Sequence, residues 1–385
     1  MKIAMFTESY YPAVDGVVTS LSTVSRELER IGHEVYIFAP EPTSGEKVED
    51  ITRGGTFFFR AFGFKRYPQY RSSILPSNEH RILRKLGVDV VHTHGITFMG
   101  MKGLSAARSF DVPIASTYHT MMHEAADFYN PFPLSSGIIV NLLFRYMRFF
   151  LNRVDAVVVP TRPILEELVK IAPRMRFAAV IPTGLDTNRF RPVNDNHVVR
   201  EQYGIGDAPL LLYLGRVAYE KNIDSIIRAL PHISDKRVKL MIVGEGPARP
   251  SLEALTRSMH LEDRVIFTGF VPDCRLLDFY AAADVFVSAS PFETQGLSIL
   301  EAMSCGKPVA GLNYRAMADY IVDGQNGFLF NGHEISIART VERALSCDPS
   351  IGRNARRTAE KYSKEKMAKQ LSNLYSKILE GHAAL

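Results

Sequence analysis

Pro182-Thr183-Gly184-Leu185-Asp186-Thr187-Asn188-Arg189-Phe190-Arg191-Pro192, with the polar run that continues to His197, divides this chain in two. Two prolines and a polar stretch mark a linker. On its amino-terminal side, short apolar runs rich in Val, Ile and Phe fall at Ile3–Phe6, Glu34–Ala39, Val88–Thr93, Pro113–Thr117, Asp155–Val159 and Phe177–Ile181. Continuous runs of that length predict strands buried on both faces. Leu21, Val24, Leu28 and Ile31 recur between the first two at helical spacing and stop at Gly32, as a helix covering a sheet should. Beyond the linker the pattern starts again, with Pro209–Leu214, Val238–Val243, Arg264–Phe267, Asp284–Ser288 and Lys307–Ala310 as strands and Ile223, Ile226, Ile227 and Leu230 as an apolar helical stripe. Such alternation implies parallel strands joined by right-handed crossovers. The expected architecture is therefore α/β: two Rossmann-like, doubly wound domains facing each other across a cleft, with ligands beyond the carboxyl ends of both sheets. The first domain is placed at residues 1–189, joined by 366–385, and the second at 190–365. The charged helical pattern from Ala359 to Leu379 is expected to cross back onto the first domain.

Composition agrees with an ordinary folded enzyme. The 385 residues are 46% hydrophobic and 23% charged, which argues against disorder, collagen and coiled coil. Cys274, Cys305 and Cys347 are odd in number and lack CxxC spacing, so neither a disulfide framework nor a structural zinc site is expected, and a reducing cytosol suits them. No secretory signal is read at the start, where Ile3–Phe6 is short and Glu8 follows at once. The most apolar long segment, Gly137–Leu151, is interrupted by Asn141, Arg145 and Arg148, so a soluble or peripheral protein is expected. The net charge of +5 comes from the first half, where residues 1–200 carry 24 Lys and Arg against 19 Asp and Glu. That excess, without a recognition motif, does not point to nucleic acid.

The dinucleotide fingerprint is missing, since the nearest case, Gly244-Glu245-Gly246, has Arg249 where the third glycine belongs. A P-loop also fails, because Lys307 is followed by Pro308 and position 301 is Glu. With no DxD pair to await a divalent metal, phosphate chemistry would rest on organic cations and backbone amides. Those cations are present. Strand Pro209–Leu214 runs into Gly215-Arg216, and Lys221 stands at the entrance to the helix that begins near Ile223, so two positive side chains and a helix dipole can converge on a diphosphate. Downstream, Asp284–Ser288 ends in a loop carrying Glu293, and a helix from about Leu297 to Cys305 stops at Gly306. Glu301 lies inside that helix among Leu300, Ala302 and Met303, and a carboxylate in such company needs a partner, for which the vicinal hydroxyls of a ribose are natural candidates. An exposed helix position for Glu301 and a helix-entry carboxylate for Glu293 are the competing readings.

Glu293 and Glu301 match an E-x7-E motif, and Gly215-Arg216 with Glu220-Lys221 a G-R-x4-K motif, and in both the chain resembles the retaining glycosyltransferases of family 4, enzymes of GT-B fold. The resemblance spans nearly the whole chain: Tyr11-Pro-Ala-Val-Asp-Gly16-Val17, Val91-His92-Thr93-His94, Tyr118-His119-Thr120, Pro182-Thr-Gly184 and Gly244-Glu-Gly246-Pro247 follow in order. It implies that Glu293 binds the donor sugar, Glu301 the ribose, Arg216 and Lys221 the diphosphate, and the Gly16 amide a phosphate. It further implies that Thr294, Gln295, Gly296 and Leu297 line the donor site, that Val271 helps seat the base, and that His119 approaches the transferred sugar. The implied reaction moves a hexose from a UDP- or GDP-hexose with retention, without metal or other cofactor, and the leaving diphosphate takes the acceptor proton on the same face. Arg216, Lys221, Glu293 and His119 would be the catalytic set. A loop glycine before a helix lets amides approach an anion, which suits Gly16. A strand-end histidine bonded to backbone competes for His119. His92 and His94 alternate onto one strand face, yet no third ligand accompanies them and a metal is not expected.

Between Phe57 and Lys85, seven basic residues (Arg60, Lys65, Arg66, Arg71, Arg81, Arg84 and Lys85) stand against Glu79 alone, interleaved with Phe57, Phe58, Phe59, Phe62, Phe64, Tyr67 and Tyr70. A basic surface with aromatic rings is a peripheral membrane signature. Ile138–Leu151 mixes apolar residues with Arg145 and Arg148, and a buried crossover helix beside a solvated loop is the competing reading. Tyr118-His119-Thr120 followed by Glu124 and several aromatics is similar to family members that glycosylate diacylglycerol or phosphatidylinositol. A lipid acceptor at an anionic, cytoplasmic membrane face is thus expected, with a soluble glycan or small polyol as the alternative acceptor and a non-catalytic nucleotide-sugar-binding protein as the alternative class.

Overall fold

The structure, a computed structural model, describes residues 1–12, 16–42, 51–64, 67–75, 77–119, 136–193 and 197–383. Its contacts divide the chain into two compact units, Met1–Gly184 with Lys364–Leu385, and Leu185–Ser363. Asp15, Lys65, Arg66, Thr120, Glu124 and the end of the polar run before His197 lie outside the described residues.

The first unit runs β1 (Lys2–Thr7), α1 (Gly16–Arg30), β2 (Glu34–Pro40), β3 (Thr56–Phe59), β4 (Phe62–Phe64), β5 (Tyr67–Ser72), α2 (Glu79–Leu86), β6 (Val90–His94), α3 (Phe98–Phe110), β7 (Ile114–Thr117), α4 (Ser136–Leu151), β8 (Ala156–Val159), α5 (Arg162–Ile171) and β9 (Ala178–Val180). Apart from the antiparallel β4–β5 pair, these strands join one parallel sheet in the order β3-β2-β1-β6-β7-β8-β9. Alternate residues of each apolar run serve opposite faces. Ala4, Phe6, Phe38 and Val91 pack with Met147, Phe150 and Ile164, whereas Ile3, Met5, Ile37 and Val90 pack with Leu21 and Leu28 of α1. The strand order reverses between β1 and β6, where Thr7 is in register with His94. Loops leaving that pair diverge, so a crevice opens at their carboxyl ends.

The second unit repeats the plan: α6 (His197–Gln202), β10 (Leu210–Leu214), α7 (Ile223–Ala229), β11 (Lys239–Val243), α8 (Arg249–Ser258), β12 (Val265–Gly269), α9 (Leu276–Ala282), β13 (Val285–Ser288), α10 (Leu297–Ser304), β14 (Val309–Leu312), α11 (Arg315–Tyr320), β15 (Phe328–Phe330), α12 (Glu334–Leu345) and α13 (Ser350–Ala359). Its parallel sheet is ordered β12-β11-β10-β13-β14-β15 and reverses between β10 and β13. Ile223, Ile226, Ile227 and Leu230 are buried in its core, as their stripe predicts.

The last helix, α14 (Lys364–Ala383), belongs to the first unit, where Leu371, Leu374, Tyr375 and Ile378 cover the same sheet face as α1. Residues 359–379 are not one helix, however. A short 3-10 turn, Glu360–Tyr362, and an extended Ser363 separate α13 from α14, because Leu185 pairs with Ser363 and donates its N–H to the Tyr362 carbonyl at 2.8 Å. The stretch read as linker is correspondingly ordered, with Leu185 and Phe190 in the core of the second unit. Ile31, expected on the α1 stripe, lies beyond the helix end and is exposed. In the basic aromatic stretch, Phe57 and Phe59 belong to β3, where Phe59 is buried and Phe57 packs on the core, so neither is available to a membrane surface. Phe58, Phe62, Arg81, Arg84 and Lys85 remain exposed.

Candidate active site

The reversal between β10 and β13 brings together loops distant in sequence. The loop after β10 carries Arg216, Glu220 and Lys221, and the loop after β13 carries Ser290 and Glu293. Lys221 Nζ lies 2.6 Å from Glu293 Oε1, with side-chain exposures of 17% and 19%. Burial alone would raise the Glu293 carboxyl, but the Lys221 ammonium and its hydrogen bond, the Ser290 hydroxyl and the Arg216 charge outweigh it and hold the group below the usual carboxylate range. Arg216 Nη2 pairs with Glu220, one helical turn on in sequence. Tyr213 on β10 donates its hydroxyl to the Arg216 carbonyl at 2.9 Å, which fixes the start of the loop. Both cations expected at a diphosphate are thus aimed by carboxylates of their own unit.

The glycines nearby have a packing reason. A Cβ on Gly244 would strike the Gly215 carbonyl oxygen, and one on Gly246 the Val217 carbonyl oxygen. The close approach lets Val217 N–H donate to Glu245 O at 2.9 Å and Gly215 N–H to Val243 O at 3.0 Å. Gly244-Glu245-Gly246 therefore laces the ends of β10 and β11 together. Gly296, at φ 72°, caps α10, and a Cβ there would lie 2.7 Å from Ile299 Cδ1. Gln295 is buried, and its carbonyl accepts the Tyr320 hydroxyl. Thr294 and Leu297 are half-buried on either side, and Val271 packs partly buried on the core.

Glu301, on α10, receives the Tyr280 hydroxyl at Oε2 over 2.6 Å. Burial pushes its carboxyl up to about 7; Tyr280 and the Arg189 charge act the other way, and Asp273 adds to the rise. Arg189 is itself held to Asp273 Oδ2. Sequence reading supplied no protein partner for Glu301. The signal was the tyrosine inside the apolar run Leu276–Ala283, since a buried phenol needs an acceptor.

In the first unit, Gly16 is the exposed first residue of α1, and a Cβ there would meet no described residue within 4 Å. His119, just past β7, has Nε2 3.1 Å from His94 Nδ1, with the two rings stacked at 5.3 Å. His92 bonds both ring nitrogens to hydroxyls, those of Tyr375 and Thr117, at 2.7 Å each, which pins the buried ring. Glu8, after β1, was not foreseen. Its Oε1 accepts the Gly100 N–H at 3.1 Å in the first turn of α3, and burial raises its carboxyl despite bonds from Thr97, Gly100 and Met99.

Two family models match the chain, Glycosyltransferase Family 4 over residues 14–189 and Glycosyl transferases group 1 over residues 195–366. A relative described as alpha-monoglucosyldiacylglycerol synthase, from Streptococcus pneumoniae, is 32% identical over 97% of this chain and 85% of its own length. The chain is a family 4 glycosyltransferase. The fold of this glycosyltransferase is GT-B: it is similar to sucrose-phosphate synthase from Thermosynechococcus elongatus, with a TM-score of 0.81 over 99% of both chains at 22% identity. It is also similar to Anabaena HepE in complex with UDP-glucose, with a TM-score of 0.79 over 98% of this chain and 100% of that one at 18% identity.

Proposed function

We propose that this glycosyltransferase moves a hexose from a UDP- or GDP-hexose to a lipid hydroxyl, with retention at the anomeric carbon and without metal. The observation that carries the reading is the meeting of Arg216, Lys221 and Glu293 at the β10/β13 switch point. A lysine ammonium has three N–H donors, so Lys221 can hold Glu293 and still donate to a diphosphate. In the proposed step the acceptor oxygen bonds to the anomeric carbon as the bond from that carbon to the diphosphate oxygen breaks, and the acceptor proton passes to the leaving diphosphate on the same face. Negative charge grows on the leaving oxygens, where Arg216 and Lys221 act, and a donor so placed is worth about 3–4 kcal/mol. Glu293 orients Lys221 and takes sugar hydroxyls. Glu301 and Tyr280 form a couple that accepts ribose hydroxyls, with Val271, Thr294, Gln295, Gly296 and Leu297 around the donor. Gly16 offers its amide to a phosphate, and no described residue lies within 4 Å of a Cβ placed there. His119 is assigned to the transferred sugar.

A lipid acceptor is supported by the diacylglycerol in the name of the 32% identical relative and by two exposed faces. Arg81, Arg84 and Lys85 stand out from α2, and α4 presents Arg145 and Arg148 beside Phe149 and Leu142, the last 68% exposed. No described helix is long and apolar enough to cross a membrane, so the proposed attachment is peripheral, on the cytoplasmic face, through these basic and apolar side chains. The test is a thermal-shift screen of UDP- and GDP-sugars, then transfer to diacylglycerol in vesicles with and without EDTA, and NMR of the product anomer. An α-donor giving an α-product, unaffected by EDTA, is expected; a β-product or loss of turnover with EDTA would refute the mechanism.

A further inference from the structure

Under α1 and α14 the first unit holds a small pocket at the carboxyl ends of β6 and β7, walled in part by Val158, Ile181 and Leu371. His92, His94, Thr117 and His119 line it, with Ser20 from α1, Thr183 and Lys364. Among the described residues most of its polar atoms are paired, and one buried ring nitrogen is not. His92 shares Nδ1 with the Tyr375 hydroxyl and Nε2 with the Thr117 hydroxyl, each at 2.7 Å. Thr183 and Ser20 hydroxyls meet at 3.0 Å. His94 Nδ1 and His119 Nε2 share a proton at 3.1 Å, but His94 Nε2 has no partner among the described residues although His94 is only 3% exposed. A buried ring nitrogen without a bond is costly, and a ligand atom that supplies the bond recovers that cost.

Charge decides which ligand. Burial draws His92 down to about 3, His119 to about 4 and His94 well below the ordinary imidazole range, so all three rings are neutral near pH 7. Lys364 faces Glu27, with Nζ 3.4 Å from Oε1. A phosphate needs cations or several amides around it. A hydroxyl both donates and accepts, so it satisfies a ring nitrogen in either tautomer.

We propose that this pocket receives an uncharged hydroxyl group of the acceptor, bonded at His94 Nε2, and that it disfavours phosphorylated acceptors. The proposal rests on the glycosyl transfer proposed above and narrows its acceptor. His94 is then a binding residue for the group that is glycosylated, distinct from the donor-holding residues of the second unit.

Matched acceptors test it. The full chain is assayed with UDP-glucose and with GDP-mannose against dioleoylglycerol or phosphatidylglycerol in phosphatidylcholine vesicles, and against glycerol or glycerol 3-phosphate in solution, with products identified by mass. The uncharged member of each pair should react at least about tenfold faster, and comparing the pairs shows whether the hydroxyl comes from a lipid or a free polyol. His94→Ala should raise acceptor KM about five- to tenfold while the donor-induced rise in Tm is unchanged, and His94→Gln should recover part of the loss. Equal or faster transfer to the phosphorylated members, or an unchanged acceptor KM in a folded His94→Ala protein, overturns the inference and leaves the transferase reading standing. Donor binding without product on any of the four acceptors also overturns it. Failure of every donor to bind or react overturns the transferase reading as well. The acceptor pairs decide with the wild-type protein, even where a variant does not fold.

Discussion

Replacing Lys221 with alanine removes one ammonium and leaves Glu293 a mostly buried carboxylate that has lost its 2.6 Å partner. Breaking a fully buried pair costs about 3–5 kcal/mol. Here both side chains keep some solvent contact, and Ser290 and Arg216 still favour the ionised carboxyl, so about 2 kcal/mol is expected. For a unit of this size that lowers Tm by about 4–8 °C. Turnover should fall much further, by about 10²–10³, because the ammonium also stabilises charge on the leaving diphosphate. Urea melts and initial rates on the same preparations separate the two effects, and Glu293→Gln in the Lys221→Ala background should restore much of the stability without restoring rate. If the loss of rate merely tracked the unfolded fraction, so that cooling well below Tm returned wild-type turnover, Lys221 would be a structural ion-pair partner and the catalytic assignment would fail.

Gly16→Ala should separate stability and activity in the opposite sense. With an open Cβ position at the start of α1, alanine is expected to raise stability by up to about 0.5–1 kcal/mol, while a methyl group at the phosphate amide raises donor KM at least about tenfold; an unchanged donor KM would remove Gly16 from the donor site. Tyr280→Phe removes the hydroxyl that favours the ionised Glu301, so the alkaline rise in donor affinity, centred near the carboxyl's value of about 7, should move to higher pH. Because burial raises that carboxyl above its unfolded value, the stability linked to its protonated form is full below the ordinary carboxylate range and is lost as pH climbs through about 7. Urea midpoints at pH 5 and pH 8.5 check the sign, and a donor-affinity profile in Tyr280→Phe that coincides with wild type would refute the couple.

What could be read from the sequence was local. Apolar runs such as Leu210–Leu214 and Ile3–Phe6 announce buried parallel strands, and the helix stop at Gly306 follows from backbone chemistry within a few residues. Partners set by strand order could not be read. Lys221 and Glu293 are 72 residues apart, and they meet because β10 pairs with β13 rather than with a sequence neighbour on both sides. Tyr280 and Glu301 are joined across 21 residues by the packing of α9 and α10. β3 was hidden because its four residues sit in a basic surrounding that reads as surface, though an edge strand needs only one buried face. The break at Ser363 was hidden because the partner that causes it, Leu185, lies far upstream.

The placement of α14 against the opening half of the chain has a consequence for biosynthesis. A nascent polypeptide emerging from the ribosome can assemble β1 to β9 early, but the apolar side that Leu371, Leu374, Tyr375 and Ile378 will shield stays wet until Lys364–Ala383 leaves the exit tunnel. At about 5–20 residues per second that interval lasts on the order of 10–40 s. The first unit is therefore completed only after the second has been made, and a stop codon shortly before position 364 would release a product with a sticky, unfinished lobe prone to chaperone capture and clumping.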